Sequence, residues 1–265
     1  MARLVSGETI VVKIGGSTLG SHDTTLDDVA ELQRRGMRPV VVHGGGALIS
    51  DWLKRLDVPT RFERGLRVTD GASLEIVVGV LAGVVNKRLV ASLEALGARA
   101  VGLSGADGGI LQARIADQAF GFVGEVERVD ATVLRELTGI GIVPVVAPIG
   151  LLYEGSRSTG QLLNINADTA AGAIAAELVA GWLVFMTDVP GVKADGRVLD
   201  SLTEEEARGL VESGVIEGGM IPKVEACLVA AGSGGRAVII DGREEHSLLA
   251  LIDGAAAGTV VGGEK

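Results

Sequence analysis

The sequence predicts an α/β fold, a three-layer sandwich whose central, mainly parallel sheet carries helices on both faces. Along the 265 residues, short β-branched runs alternate with longer stretches of helical periodicity, which is typical of parallel sheets. Apolar residues make up 47% of the chain, enough for a large core. We expect one domain over residues 1–265, with a break near Ile174–Glu177 between two lobes, about 1–175 and about 176–265, that share the sheet.

The predicted elements follow one another in a regular order. β-branched runs predict strands over 9–13, 38–42, 98–103, 143–147, 183–186 and 237–240. Helical periodicity predicts helices over 26–35, 48–56, 74–96, 167–179, 203–213, 222–231 and 247–252. Thr203 and Glu206 have the spacing of a capping box at the start of one of these helices. The polar, short-period stretch 112–129 predicts hairpins inserted into the domain.

Composition excludes several classes of function. A net charge of −10 and an aromatic content of 3% disfavour nucleic-acid binding, which needs a basic face and often stacking side chains. Cys227 is the single cysteine, so an intrachain disulfide is impossible and a reducing, cytoplasmic setting fits. Residues 1–8 lack the apolar stretch of a signal peptide, and no run approaches the roughly 20 apolar residues of a membrane span. We expect neither nucleic acid nor a membrane as a partner.

Two glycine-rich turns follow predicted strands and could bind an anion. Lys13 precedes Gly15 and Gly16 at the end of the first strand, where backbone amides point outward and a cation suits a phosphate. His43 is followed by three glycines, Gly44–Gly46, before a predicted helix. Neither turn is a Walker loop or a G-x-G-x-x-G fingerprint. The alternatives are a surface lysine at a strand end and a glycine turn that permits close packing.

Polar side chains elsewhere allow both a structural and a functional interpretation. Asn164, Asn166 and Asp168 precede or begin an Ala-rich helix, where one of them could simply cap it and the others bind a ligand. Lys223 lies at a helix start, where a cation is disfavoured unless an anion balances it or solvent exposes it. Arg67 could bind a carboxylate through its two-pronged guanidinium, although a surface arginine is commoner.

Taken together, these segments resemble the amino acid kinase family. The matching segments occur in the family's order and spacing and cover nearly the whole chain: 13–16, 43–46, 65–70, 85–87, 101–105, 164–168, 187–192 and 218–223. They are most similar to members that use ATP to phosphorylate the γ-carboxylate of N-acetyl-L-glutamate in arginine biosynthesis. A carboxylate is already ionised at neutral pH, so such a reaction needs no general base.

The resemblance implies roles for individual residues. Lys13 and Lys223 would neutralise charge on the phosphoryl group in the transition state, and Asp168 would hold both ammonium groups. Gly45, Gly46, Arg67 and Asn164 would bind the acylamino acid, with Arg67 on its α-carboxylate. The remaining implied contacts are to ATP: backbone N–H groups of Gly15, Gly16 and Gly45 to phosphates, and an adenine and ribose pocket of Thr187, Asp188, Val189, Pro190, Gly191 and Val192 with Val215, Ile216 and Glu217. Mg²⁺ would accompany ATP, held mainly by phosphates and water rather than by protein ligands.

The family also suggests an assembly and two alternative functions. The first strand begins by Thr9, which leaves no room for the N-terminal helix that links arginine-inhibited members into hexamers, so we expect a homodimer without arginine feedback. One alternative is a carrier-protein-linked aminoadipate or glutamate kinase of lysine biosynthesis, against which the segments 43–46 and 164–168 argue. The other is a non-catalytic amino-acid sensor, against which the joint presence of Lys13, Asp168 and Lys223 argues.

Overall fold

The structure, a computed structural model, describes residues 7–15, 24–63, 66–255 and 258–262. The strands are β1 (Thr9–Ile14), β2 (Arg38–His43), β3 (Phe62–Glu63), β4 (Leu66–Arg67), β5 (Ala100–Ser104), β6 (Leu111–Ile115), β7 (Val123–Val129), β8 (Val143–Ala147), β9 (Ile149–Glu154), β10 (Arg157–Ile165), β11 (Trp182–Thr187), β12 (Lys193–Ala194), β13 (Arg197–Val198), β14 (Ser201–Leu202), β15 (Arg236–Asp241) and β16 (Thr259–Val261). The α-helices are α1 (Thr25–Arg34), α2 (Gly46–Arg55), α3 (Gly71–Val78), α4 (Asn86–Ala95), α5 (Thr132–Gly139), α6 (Ala167–Glu177), α7 (Glu204–Glu212), α8 (Met220–Gly232) and α9 (Ser247–Ile252).

A central sheet of eight strands runs through both predicted lobes. Its order is β14–β16–β15–β11–β1–β2–β8–β5. The β15–β16 pairing is antiparallel and the other pairings in this sheet are parallel, so the predicted mainly parallel sheet is confirmed. The lobe boundary predicted near Ile174–Glu177 falls inside α6, which packs against β1, β2 and β11.

Helices cover both faces of this sheet, as the three-layer prediction requires. Side chains alternate between the faces along a strand, so Ile10 and Val12 enter one core, which α1, α2, α4 and α9 cover. Val11 enters the opposite core, beneath α5, α6 and α8. Lys13 follows Val11 at the same period and therefore faces α6 and α8. The alternation of side chains along β1 therefore places Lys13 on the face of the sheet that α6 and α8 cover.

A second, smaller sheet lies beside the central one. β6, β7, β9 and β10 form a closed four-stranded barrel. The antiparallel β6–β7 pair confirms the predicted hairpin, whereas β9 and β10 were not predicted. The polar residues at the start of β10 are exposed, and its last residues, Leu163 and Ile165, enter the core. The barrel thereby delivers Asn164 to the edge of the central sheet immediately before α6.

One helical stretch is longer and more apolar than the sequence patterns suggested. α3, a π-helical segment (Gly79–Val85) and α4 run on as a 25-residue helix, Gly71–Ala95, which by length and composition alone is apolar enough to cross a membrane. The expectation of no such run was therefore wrong on length and composition. Val77, Leu81, Leu89 and Leu93 of this helix are buried in the core on one face of the sheet, which is the position of a core helix.

Candidate active site

Three charged residues predicted to act together meet at the end of β1. The Nζ atom of Lys13 lies 2.5 Å from Oδ1 of Asp168, and Nζ of Lys223 lies 2.9 Å from Oδ2. The side chains are 8%, 8% and 20% exposed for Lys13, Asp168 and Lys223. One carboxylate therefore binds two ammonium groups, one on each oxygen. We call this group the triad.

The helix starts explain how Asp168 and Lys223 reach this position. The side chain of Asn166 accepts hydrogen bonds from the N–H groups of Asp168 and Thr169 and caps α6. Asn166 thus has the structural role that the sequence left open, and the Asp168 carboxylate is free to bind the lysines. Lys223, in the first turn of α8, also donates to the carbonyl of Gly219, so both a carboxylate and a carbonyl balance a cation at this helix start.

Close packing of α6 against α8 sets the distance between Asp168 and Lys223. Gly172 lies one turn after Asp168, and a Cβ built there would come within 2.8 Å of the Cα of Ala226, one turn after Lys223. The absence of a side chain at Gly172 therefore lets the two helix backbones approach. The helix pair brings the carboxylate and the ammonium group into contact.

The triad carries one more positive than negative charge in a largely dry environment. Burial alone would raise the pKa of Asp168, but the two ammonium groups outweigh it and hold the pKa below its usual value. Burial lowers the pKa of Lys13, against the attraction of Asp168 and with the repulsion of Lys223. A buried excess of positive charge attracts an anion.

The glycines after β2 lie beside the triad because β2 pairs with β1. Ile14 and His43 are partners in this pairing, and the N–H of Gly44 donates to the carbonyl of Ile14. Gly45 is the N-cap of α2 and offers no side chain, so the first amides of α2 are left for a ligand. The N–H of Gly15 donates to the Met186 carbonyl at 3.4 Å, and a phosphate oxygen would have to compete with that long bond. Gly16 lies outside the described residues.

A cavity of about 220 Å³ opens next to these glycines. Gly44, Gly45 and Gly46 line it together with Arg67 and Asn164, and further walls are the apolar residues Ile49, Phe62, Leu81, Val123 and Ile165. Three predicted substrate-binding segments, which are distant in sequence, therefore meet at one cavity.

Arg67 is a buried cation with an incomplete set of partners. Its Nη2 donates to Oγ of Ser50 at 2.7 Å and to the carbonyl of Gly46 at 3.2 Å. Its Nη1 is buried and has no hydrogen-bond partner among the described residues. The ring of Phe62 lies over the guanidinium, 4.6 Å away, and burial lowers the pKa of Arg67. A buried donor of this kind favours an anionic ligand, because an unsatisfied charged group is costly.

Asn164 is held by a residue that sequence reasoning missed. Its Nδ2 donates to the hydroxyl of Thr69 at 3.1 Å, and that hydroxyl donates to the carbonyl of Arg67. Because the hydroxyl has only one hydrogen, the Asn164 atom that contacts it must be the nitrogen. Oδ1 of Asn164 is then the atom available to accept a hydrogen bond from a ligand. Thr69 lies two residues after Arg67, and that spacing was the only sequence signal for its role.

Some of the residues predicted to contact a nucleotide have buried side chains, and others have exposed ones. Thr187 is buried, and its one hydroxyl hydrogen is shared between the carbonyls of Val189 and Ile240, 2.8 Å and 3.0 Å away. Val192 and Ile216 are also buried in the core. Gly191 is buried as well. The remaining predicted positions are exposed or half-buried: Asp188, Val189, Pro190, Val215 and Glu217. Thr187, Val192 and Ile216 could therefore contribute backbone groups and shape, but not free side chains.

Comparisons with known proteins agree with this geometry. The sequence profile of the amino acid kinase family matches residues 8–241. An acetylglutamate kinase of Gluconacetobacter diazotrophicus is 47% identical over 99% of this chain and 88% of its own length. An acetylglutamate kinase of Dehalococcoides mccartyi is 43% identical over 97% of this chain and 96% of its own length. A crystal structure of a Streptococcus mutans protein, 30% identical, covers 97% of this chain and 99% of that one with a TM-score of 0.82.

Proposed function

The chain belongs to the amino acid kinase family, and we propose that it transfers the γ-phosphoryl group of ATP to the γ-carboxylate of N-acetyl-L-glutamate. The products would be N-acetyl-L-glutamyl 5-phosphate and ADP, in arginine biosynthesis. The observation that carries the proposal is the position of the triad beside a cavity in which the buried Nη1 of Arg67 has no hydrogen-bond partner among the described residues. The first feature suits a phosphoryl group in transfer and the second suits an acceptor with a carboxylate.

The cavity is suited to the acylamino acid. Arg67 would bind the α-carboxylate through Nη1, since charge-assisted hydrogen bonds of arginine to carboxylates are strong. Oδ1 of Asn164 would accept the N–H of the acetamido group. The amides of Gly45 and Gly46 would face the γ-carboxylate and the phosphoryl group.

The chemistry needs charge stabilisation rather than proton removal. The acceptor carboxylate is ionised at neutral pH, so no general base is required. Lys13 and Lys223 would neutralise the negative charge on the oxygens of the phosphoryl group during transfer, and Asp168 would hold both ammonium groups in place. The triad would act mainly in the transition state.

ATP would bind along the ends of β11 and β15 in the C-terminal lobe, about 176–265. The turn Thr187–Val192 and the segment Val215–Glu217 would form the adenine and ribose pocket, and Gly15 and Gly16 would donate to phosphates. Mg²⁺ would accompany ATP as its counter-ion. No group of three or more His, Cys, Asp or Glu side chains in the described part of the chain could hold a metal, and Asp168 is committed to two lysines, so phosphates and water would hold the ion.

We also propose a cytoplasmic homodimer whose contact involves the long helix of the N-terminal lobe. Gly79 and Gly83, one turn apart, are exposed and nothing lies within 4 Å of a Cβ built at either position. Exposed Ala72 and half-buried Ile76 continue this apolar face. A second copy of the helix could approach closely there. Light scattering should give twice the chain mass, and Gly83→Arg should shift the protein towards monomers.

An ATP-consumption assay tests the function. The protein is given MgATP with N-acetyl-L-glutamate, glutamate, aspartate or aminoadipate in turn. We expect turnover with N-acetyl-L-glutamate at least about 100-fold above that with glutamate, because the unacylated substrate loses contacts in the cavity and brings an uncompensated ammonium group next to Arg67. Turnover only with glutamate or aminoadipate would overturn the assignment.

A further inference from the structure

A chain of buried polar side chains connects the long helix to the glycine loop, Gly44–Gly46. His43 and Asn86 are both fully buried, and Asn86 is the first residue after the π-helical segment Gly79–Val85. A π turn adds a residue to the helical turn and changes which side chains face inward, and such turns are frequent at functional sites. Here the side chain that faces inward directly after the π-helical segment is the amide of Asn86.

The partners of Asn86 determine the orientation of its amide. Nδ2 lies 2.8 Å from the carbonyl of Val145, 3.1 Å from that of Leu103 and 3.2 Å from Nε2 of His43. Nζ of Lys87, which can only donate, lies 3.0 Å from Oδ1. Two carbonyls require a donor and an ammonium group requires an acceptor, so no flipped amide would satisfy this set.

This orientation in turn determines the protonation of His43. Nδ1 lies 2.9 Å from the carbonyl oxygen of Gly44, which can only accept, so Nδ1 carries the proton. Nε2 faces Nδ2 of Asn86, whose two hydrogens are shared among Nε2 and the two carbonyls, and Nε2 therefore keeps its lone pair. Burial, together with the charges of Lys13 and Lys87, lowers the pKa of His43 to about 4, although its contact with Gly44 opposes the shift.

The bond to the Gly44 carbonyl orients the next amide as well. The Gly44 carbonyl and the Gly45 N–H belong to one planar, trans peptide group, so they point in opposite directions. With the carbonyl held by the His43 ring, the Gly45 N–H points away from the ring, and Gly45 lines the cavity. The preceding amide, Gly44 N–H, is also fixed, on the carbonyl of Ile14.

We propose that His43 and Asn86 are positioning residues, which hold the Gly44 carbonyl and thereby aim the Gly45 N–H at the oxygen atoms between which the phosphoryl group moves. This inference rests on the proposed kinase function. Neither side chain touches the substrates. The Gly45 N–H would interact most strongly while the phosphoryl group passes between these oxygen atoms, so a loss of its alignment falls on the transition state more than on ground-state binding.

Two nearly isosteric variants test this role. In His43→Asn the side-chain Nδ2 takes the place of imidazole Nδ1 and can still donate to Gly44. In His43→Gln the side-chain amide lies where imidazole Nε2 was. It can still bond to Asn86, but the hydrogen bond to the Gly44 carbonyl is lost. We expect kcat to fall less than about 5-fold in His43→Asn and about 10- to 100-fold in His43→Gln, with both KM values within about 3-fold of wild type. The loss in His43→Gln is smaller than the roughly 100- to 1,000-fold seen when a transition-state donor is removed, because the Gly45 N–H is misaligned rather than absent. Equal kcat values for the two variants, or a change in KM alone, would overturn the proposal.

A double-mutant cycle tests whether Asn86 acts through His43. Asn86→Asp cannot donate to Nε2, and we expect it to lower kcat about 10-fold in the wild-type background but less than 2-fold in the His43→Asn background. Independent, additive losses would show that Asn86 does not act through His43.

The unmutated protein gives a reading that does not depend on variant folding or on turnover. The chain has 3 histidines, so a ¹⁵N–¹H correlation spectrum of the imidazoles can be assigned. We expect His43 to be protonated on Nδ1 and not on Nε2 between pH 6 and 8. Protonation on Nε2 would overturn the proposal. Absence of N-acetyl-L-glutamate turnover in the wild type would instead refute the kinase function. The spectrum would still report which nitrogen of His43 is protonated, so the two failures can be distinguished.

Discussion

Two neighbouring parts of the site differ in how their charges are compensated. In the triad, each oxygen of Asp168 contacts a lysine, so both ammonium groups have a counter-ion before any ligand arrives. In the cavity, the Arg67 guanidinium has two neutral partners and one buried nitrogen without a partner among the described residues. The first arrangement keeps a catalytic geometry assembled, and the second is completed only by an anion.

The difference has an energetic consequence. Removing one member of a buried ion pair leaves the other charge uncompensated, which costs about 3–5 kcal/mol. Removing Arg67, a buried cation that has no counter-ion among the residues that the structure describes, takes away an unfavourable desolvation free energy instead. We therefore expect substitutions in the triad to reduce both stability and turnover, and substitutions of Arg67 to reduce substrate binding alone.

The largest effect is expected for Asp168→Asn. A neutral amide cannot compensate two ammonium groups, so the free energy of unfolding at pH 7 should fall by about 3 kcal/mol or more, measured by urea denaturation, and kcat should fall as well. Because the folded-state pKa of Asp168 is lowered, its stabilisation is present above the ordinary pKa and is lost as pH falls through the folded value. The stability difference between wild type and variant should therefore shrink below about pH 4.

Wild-type stability in Asp168→Asn at pH 7 would contradict the comparison, because it would mean that the lysines need no counter-ion.

Lys223→Met should produce the next largest effect, on kcat. The ammonium group would oppose charge that develops in transfer, so kcat should fall about 100- to 1,000-fold while KM for both substrates changes little. Steady-state kinetics with each substrate varied in turn gives the two parameters. An unchanged kcat would remove Lys223 from the catalytic set and leave it as a structural partner of Asp168.

Some parts of this site could be predicted from local sequence, because local rules apply to them. Lys13 follows a buried β-branched run, and parallel sheets place their ligands at the ends of such strands. The glycines before α2 likewise predicted an unencumbered helix start. Asp168 and Lys223 were each ambiguous, since a cap and an exposed lysine fit the same letters. Only the contact between Asp168 and Lys223, which lie 55 residues apart, distinguishes the structural from the functional interpretation. From the sequence, that contact could be inferred only through the family resemblance.

Other parts had no local signal. The start of β10, from Arg157 onwards, is polar and exposed, so its pattern does not resemble a strand and the barrel was missed. The π-helical segment Gly79–Val85 is uniformly apolar, and a hydrophobic period cannot reveal one extra residue in a turn. The bond between Thr69 and Asn164 joins residues 95 apart. Each of these features depends on tertiary packing.

Arg67→Ala should separate binding from stability. KM for N-acetyl-L-glutamate should rise about 10- to 100-fold, the range expected for loss of a charge-assisted hydrogen bond, and KM for ATP should not change. The free energy of unfolding should stay within about 1 kcal/mol of wild type, because no counter-ion is left behind in the described part of the cavity. Arg67→Lys serves as the matched control, since it keeps the charge and loses the two-pronged geometry.

A normal KM for the acylamino acid in Arg67→Ala would reject the carboxylate contact, and a loss of stability comparable to that of Asp168→Asn would show that Arg67 is part of a paired network.

The smallest effect is expected for Gly172→Ala, which changes the triad without touching a charge. The added methyl group would press on the backbone of Ala226 and force α6 and α8 apart, at a cost of about 1–3 kcal/mol. Asp168 and Lys223 lie one turn away on these helices, so kcat should fall while both KM values remain unchanged.

Gly209→Ala is the matched control. Gly209 lies within α7, and nothing is within 4 Å of a Cβ built there. Alanine at this position should therefore stabilise the protein by up to about 1 kcal/mol and leave kcat unchanged. If Gly172→Ala lowers stability and leaves kcat intact, the triad tolerates a change in helix spacing, and its geometry depends on the two ion pairs rather than on the packing of α6 against α8.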